Sequence, residues 1–235
     1  MRRLSWCLLG AGILVPVDLR GADAAADVKA GLQALNDFIG DWKGTGGPDK
    51  PRPDPKESWA ETIAWSWRFH GNDAWLRFDV KGGKYLTGGE VRYVPAKKAY
   101  QLTAVDVQKR TVTFDGKLDE RGYLTFDRVD ATTGEAQQLV MNSAGDGVRF
   151  IYRYATRPKG RTVFTKVYQV AATKEGESLG AAAKKNECVV TGGLGTMTVS
   201  FMGETFYVCC SGCRDAFNDD PAKFVKEFKE KKKKN

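Results

Sequence analysis

Histidine is almost missing from this chain: His70 is the only one among 235 residues. That scarcity removes most metal sites built on imidazole, and any Ser-His-Asp arrangement that does not use this one residue. His70 stands at a strand end beside Gly71-Asn72, which reads as a surface turn; an axial haem ligand is the rival reading. Cysteine is also missing from nearly the whole length. Apart from Cys7, every cysteine falls between Cys188 and Cys213. Disulfides staple scattered parts of a fold, whereas ligands to a single ion cluster. Long apolar runs are lacking too. The stretch Leu4 to Val17 is too short for a membrane span, and nothing else comes close. No glycine-rich loop precedes a helix in a phosphate-cradling pattern, and Asp115 to Gly122 does not fit a calcium loop. No carboxylate pair has a spacing that argues acid–base chemistry, and no basic-plus-aromatic motif points to nucleic acid. These absences leave a binding protein, not an enzyme, as the expectation.

The N-terminus has the form of an export signal. Arg2 and Arg3 supply a positive start, Leu4 to Val17 an apolar stretch, and Ala22-Asp23-Ala24 a small-x-small cleavage site. Residues 1–24 are therefore read as a signal peptide that carries Cys7 with it, and the expected location is periplasmic or secreted. The formal net charge is +8, part of it in the run Lys231 to Lys234. A charge block of this kind is usually a solvated end, so residues 231–235 are read as a basic tail. Contact with an anionic surface is the alternative.

Residues 27–37 have helical spacing at Val28, Leu32 and Leu35. The pattern then changes. Phe38 to Gly46 reads as a first strand, followed by a loop with Pro48, Pro51, Pro53 and Pro55. From Glu57 to about Ala172 the period is two. Trp59, Ile63, Trp65, Trp67 and Phe69 share one face, and Ala60, Thr62, Ala64, Ser66, Arg68 and His70 the other. The alternation recurs near 74–81, 86–94, 99–106, 110–118, 122–129, 136–142, 147–156 and 161–171. Turn residues break it at Gly71-Asn72-Asp73, Gly82-Gly83, Thr133-Gly134 and Gly145-Asp146-Gly147. About ten strands joined by tight turns, without helical crossovers, predict a mainly-β fold. The expected form is an antiparallel up-and-down barrel, closed to remove its edges, with a sandwich as the alternative. The Trp59-Trp65-Trp67 stripe serves as core, or else lines a ligand cavity. The barrel is placed at 27–172 and a polar, small-residue linker at 173–186.

The segment Leu35-Asn36-Asp37-Phe38-Ile39-Gly40-Asp41-Trp42 resembles the Gly-x-Trp opening strand of the calycin superfamily, the lipocalin, fatty-acid-binding and nitrobindin-like barrels. The resemblance covers residues 30–172. It implies a barrel with Trp42 plugging one end, and a cavity for an apolar ligand or haem.

Residues 187–230 form a separate unit. Cys188-Val189-Val190-Thr191-Gly192 leads into a hairpin with strands at 196–201 and 204–208. The hairpin ends in Cys209-Cys210-Ser211-Gly212-Cys213. A helix follows from Arg214, and Asp219-Asp220-Pro221 begins another, with an acidic N-cap and Pro at its first position. A hairpin returns its end to its beginning, so Cys188 and Cys209 come close despite their separation. Cys213 follows Cys209 by one helical turn. A helix N-terminus favours thiolate, and sulfur donors select soft ions such as zinc or copper(I). Two disulfides, which an oxidising compartment permits, are the alternative, though adjacent Cys209 and Cys210 are strained as a pair; free thiols are the third reading.

The spacing of Cys188, Phe206-Tyr207, Cys209, Cys213, Phe217 and Asp220-Pro221 closely resembles the YHS and TRASH heavy-metal-binding modules over residues 187–228. The resemblance implies Cys188, Cys209 and Cys213 as ligands to one zinc or copper ion. Two positions depart from the pattern: Val189 replaces the commoner Pro, and Cys210 follows the second Cys, where it is a fourth ligand or a substitute for Cys209. The expected partners are thus a metal ion and a small apolar ligand in the barrel. A carrier barrel with the cysteine unit as a zinc or disulfide clip is the competing function.

Overall fold

The computed structural model describes residues 19–176 and 186–234. Most of the expected signal peptide, and the middle of the expected linker, lie outside these residues.

Helix α1 (Leu19–Gln33) and a single 3-10 turn (Asn36–Phe38) precede the sheet. The helix thus starts earlier than the expected residue 27, and its break before Asn36 divides what the spacing joined into one helix over 27–37. Ten strands follow: β1 (Gly40–Pro48), β2 (Trp59–His70), β3 (Asp73–Lys81), β4 (Leu86–Val94), β5 (Ala99–Asp106), β6 (Thr111–Leu118), β7 (Tyr123–Val129), β8 (Ala136–Ala144), β9 (Arg149–Arg157) and β10 (Thr165–Lys174). Each pairs antiparallel with the next, and β1 also pairs with β10, so the barrel closes. Closure leaves the ten-stranded sheet without an edge, which removes the main aggregation hazard of a β protein. A hairpin, β11 (Met197–Phe201) and β12 (Glu204–Val208), then leads to α2 (Ser211–Asp219) and α3 (Pro221–Lys234).

The period of two works because one face of each strand is dry. Ile63, Trp65 and Trp67 of β2 are buried, as are Leu76 and Phe78 of β3, Leu102 and Ala104 of β5, and Leu124 and Phe126 of β7. The tryptophan stripe is core at Trp65 and Trp67, while Trp59 is only partly buried. One end of the barrel is plugged. The indole N–H of Trp42 donates to the Phe38 carbonyl at 2.8 Å, and Phe38, Trp65 and Phe150 meet edge to face. Helix α1 packs on the same end through Gly31, whose carbonyl accepts the Tyr100 hydroxyl at 2.8 Å.

Several boundaries fall elsewhere than expected. Strand β10 runs on to Lys174, past the expected limit of 172, because Glu175 N–H still pairs with the Asp41 carbonyl. The lysine run at 231–234 is the end of α3, not a separate tail. Lysine is a good helix former, and Lys231 is held by Glu187 at 2.7 Å. His70 is exposed at the end of β2, paired across the turn with Asp73, as the turn reading holds.

One inward position of β2 is charged. Glu61 is buried and accepts the Trp59 indole N–H and the Tyr152 hydroxyl, both at 2.7 Å. Burial pushes its carboxyl above the usual range, while the two hydrogen bonds oppose the shift. A carboxyl whose folded pKa is raised contributes stability that is fully present below its unfolded value. That contribution is lost as the pH rises through the folded value. Glu61→Gln is therefore expected to gain stability relative to the native chain from about pH 4 upward, read as the difference in Tm across a pH series. Two parallel curves would show that Glu61 ionises as freely as in the unfolded chain.

Candidate metal centre

The cysteine unit is built so that three elements deliver sulfur to one point. The backbone around Cys188 makes a tight loop: Cys188 N–H donates to the Gly193 carbonyl at 2.7 Å, and Gly192 N–H returns to the Cys188 carbonyl at 2.8 Å. Gly192 adopts φ +75 there, a left-handed conformation that suits glycine. The loop is stitched alongside β12, where Val189 N–H donates to the Tyr207 carbonyl at 2.8 Å. Cys209 follows directly on β12, Cys210 stands just before the first residue of α2, and Cys213 lies in the first turn of that helix.

The sulfurs of Cys188, Cys209 and Cys213 all lie within 4.8 Å of one another. Cys209 Sγ and Cys213 Sγ are 3.5 Å apart. Four sulfurs around a zinc ion at about 2.3 Å would be spaced by about 3.8 Å, so the three fit one soft ion with little adjustment. Cys188 and Cys213 are fully buried and Cys209 nearly so. All four cysteines of the unit are free thiols. Cys210 is placed differently. Its Sγ is 4.0 Å from that of Cys209, falls outside the mutual distance of the three, and accepts the backbone N–H of Trp67 at 3.4 Å.

Protons are shared unequally in the cluster. Hydrogen bonds from Cys209 and then Cys213 pull the thiols of both Cys188 and Cys210 well below the usual range. Cys209 is pushed up because it donates to Cys188 and Cys210, and Cys213 is pushed up first by burial. The four sulfurs thus share protons through hydrogen bonds to one another. A cation held by Cys188, Cys209 and Cys213 would displace the protons that those three share.

The unit is seated on the plugged end of the barrel. Strand β2 extends past the start of β1, since Gly40 pairs with Trp65 and nothing of β1 lies opposite Trp67. The orphaned Trp67 N–H is the one taken up by Cys210 Sγ. Helix α2 lies so close that a Cβ at Gly212 would stand 1.8 Å from the Trp67 carbonyl oxygen. Polar anchors complete the seam. The side-chain amides of Gln33 and Asn36 donate to the Thr191 carbonyl at 2.9 and 3.1 Å, and the Trp67 indole donates to Asn36 at 3.2 Å. Phe206, Phe217 and Phe228 form the unit's own small core.

The four cysteines are legible in the sequence, whereas the parts played by Thr191, Gln33, Asn36 and the backbone of Trp67 are not. Only Thr191 carried a local signal, as the residue between Cys188-x-x and a turn glycine.

The other end of the barrel is open. A cavity of about 540 Å³ is lined there by Tyr85, Phe114, Tyr154 and Tyr168, together with Arg110 and Arg128. Tyr85 and Tyr168 stack at 4.1 Å. The lining is thus mixed, aromatic rings with two arginines among them. Among the described residues no helix is long and apolar enough to cross a membrane.

No protein-family model matches the chain, and no curated protein matches it. The chain is similar in structure to Rv2717c from M. tuberculosis, whose crystal structure superposes with a TM-score of 0.42 at 17% identity, over 62% of this chain and 97% of that one.

Proposed function

We propose that this is an exported, non-catalytic metal-binding protein that holds one soft ion, zinc or copper, through the thiolates of Cys188, Cys209 and Cys213. The observation that carries the reading is the convergence of three buried sulfurs from a loop, a strand end and a helix start within 4.8 Å of one another. Chance rarely buries three thiols around one point, and sulfur-only donors exclude hard ions such as magnesium or calcium. The residue pattern shared with YHS and TRASH modules supports the same reading. The barrel then acts as the platform that holds the site, and Cys210 acts at the seam.

A second reading has an observation of its own. The open cavity is large enough for a small organic ligand, since such pockets run from about 300 Å³ upward. On that reading the cysteine unit is a clip and the barrel is the carrier.

Metal content and thiol titration of the purified chain separate the two. The metal reading expects one ion per chain, thiols that stay unreactive until a chelator is added, and four reactive thiols afterwards. Thiols absent before and after chelation would mean disulfides and would favour the clip.

A further inference from the structure

Thr191 is packed among the sulfurs and is only 1% exposed. Its Oγ1 lies 3.5 Å from Cys209 Sγ and 3.9 Å from Cys213 Sγ. Cys188 is hydrogen-bonded by both the hydroxyl and the backbone N–H of the same residue. The hydroxyl is therefore within hydrogen-bonding reach of all three sulfurs of the candidate site. For an ion with metal–sulfur bonds of about 2.3 Å and a metal–oxygen bond of about 2.1 Å, a fourth tetrahedral ligand would stand about 3.6 Å from each sulfur. Thr191 Oγ1 thus lies over the face of the sulfur triangle that a fourth ligand would have to approach. Cys210 does not, because its sulfur is turned to the Trp67 N–H.

A threonine hydroxyl is neutral and hard, a poor ligand for an ion already held by thiolates. Its other capability is hydrogen bonding. In the thiol form Cys213 donates to Oγ1 at 3.9 Å. Once ligated the sulfur has no proton, so the hydroxyl must become the donor. It then disperses thiolate charge without adding a ligand. The residue is held in place from behind, by Gln33 and Asn36 on its carbonyl and by the Trp67 indole on Asn36.

We propose that Thr191 sets the coordination number of the site: its hydroxyl stands over the open face of the three sulfurs as a hydrogen-bond donor to them and shuts out a fourth ligand, so that the ion is held by three thiolates. This rests on the metal-binding reading above.

Cobalt(II), bound anaerobically to the full chain, is the probe, because its sulfur-to-metal charge-transfer absorption grows with the number of thiolates. The native chain is expected to give a three-thiolate spectrum. Thr191→Cys should raise that absorption by about one third, the step from three sulfurs to the four of a closed site. Thr191→Ser should keep the native spectrum and affinity. Thr191→Val, equal in shape but without the hydroxyl, should bind about 10-fold or more weakly with three thiolates still present. A native four-thiolate spectrum that falls to three in Cys210→Ser would overturn the inference and leave metal binding intact, as would an unchanged spectrum in folded Thr191→Cys. A native chain that takes up no cobalt would overturn the metal reading itself. If Thr191→Cys loses the near-ultraviolet signal of the folded barrel, the Ser and Val variants decide; equal affinity in Val and native chains counts against the inference.

Discussion

Cys213→Ala is expected to abolish tight metal binding while leaving the metal-free fold largely intact. Cys213 is fully buried, with its sulfur 3.5 Å from that of Cys209. Its removal leaves two thiolates, too few to hold a soft ion against competing chelators. A loss of at least about a thousandfold in affinity, roughly 4 kcal/mol, is expected. The cost to the metal-free protein is far smaller, of order 1 kcal/mol, because an alanine leaves only a sulfur-sized gap. The two effects separate in one unfolding experiment. An ion that binds only the folded chain stabilises it by about 4 kcal/mol when present at a thousand times its Kd. Native protein should therefore show a large metal-dependent rise in Tm, and Cys213→Ala none. A variant that keeps one ion per chain and the same rise would show that Cys213 is not a ligand.

Which parts of this molecule the sequence discloses follows from the range of the interactions. Strands β2 to β10 are legible because a half-buried strand imposes its alternation locally, residue by residue. Trp65 and Trp67 face in, and Ala64 and Ser66, which alternate with them, do not. The hairpin that brings Cys209 back toward Cys188 is local in the same sense. Glu61 was hidden because a carboxylate on the inward face breaks the alternation, and its partners include Tyr152 on another strand. The seam was hidden more deeply. Gln33 meets Thr191 across 158 positions and Trp67 meets Cys210 across 143, and no periodicity encodes such pairs. The extent of α3 was misjudged for a different reason. A lysine run has the composition of a loose end, yet lysine is also a strong helix former, and ion pairs from Lys229 to Glu204 and from Lys231 to Glu187 tie that end to the hairpin and the cysteine loop.

Gly212→Ala should both destabilise the protein and weaken metal binding, although it changes neither a ligand nor a hydrophobic core side chain. The added Cβ would lie 1.8 Å from the Trp67 carbonyl oxygen and 2.9 Å from its carbon. Both obstacles are backbone of a strand fixed by its pairing with β3, where Trp67 stands opposite Leu76. No rotamer relieves the clash, so helix α2 must back away by more than about 1 Å. Overpacking of this kind costs about 1–3 kcal/mol, and a rigid backbone obstacle belongs at the upper end. The displacement is not confined to the seam. Cys210 and Cys213 flank Gly212, so the helix that retreats from Trp67 carries one ligand out of the sulfur cluster and breaks the Trp67 N–H contact to Cys210. Ligand distances tolerate only about 0.2 Å, so metal affinity should fall even in the fraction that stays folded. Gly47→Ala is the matched control. Its nearest neighbour would be the Ser58 hydroxyl at 3.5 Å, and stability there should be unchanged or slightly raised. Denaturant unfolding and a zinc titration on both variants read the two effects separately. Native stability and native affinity in Gly212→Ala would mean that the cysteine unit is not seated on β2, and that the barrel plays no part in shaping the site.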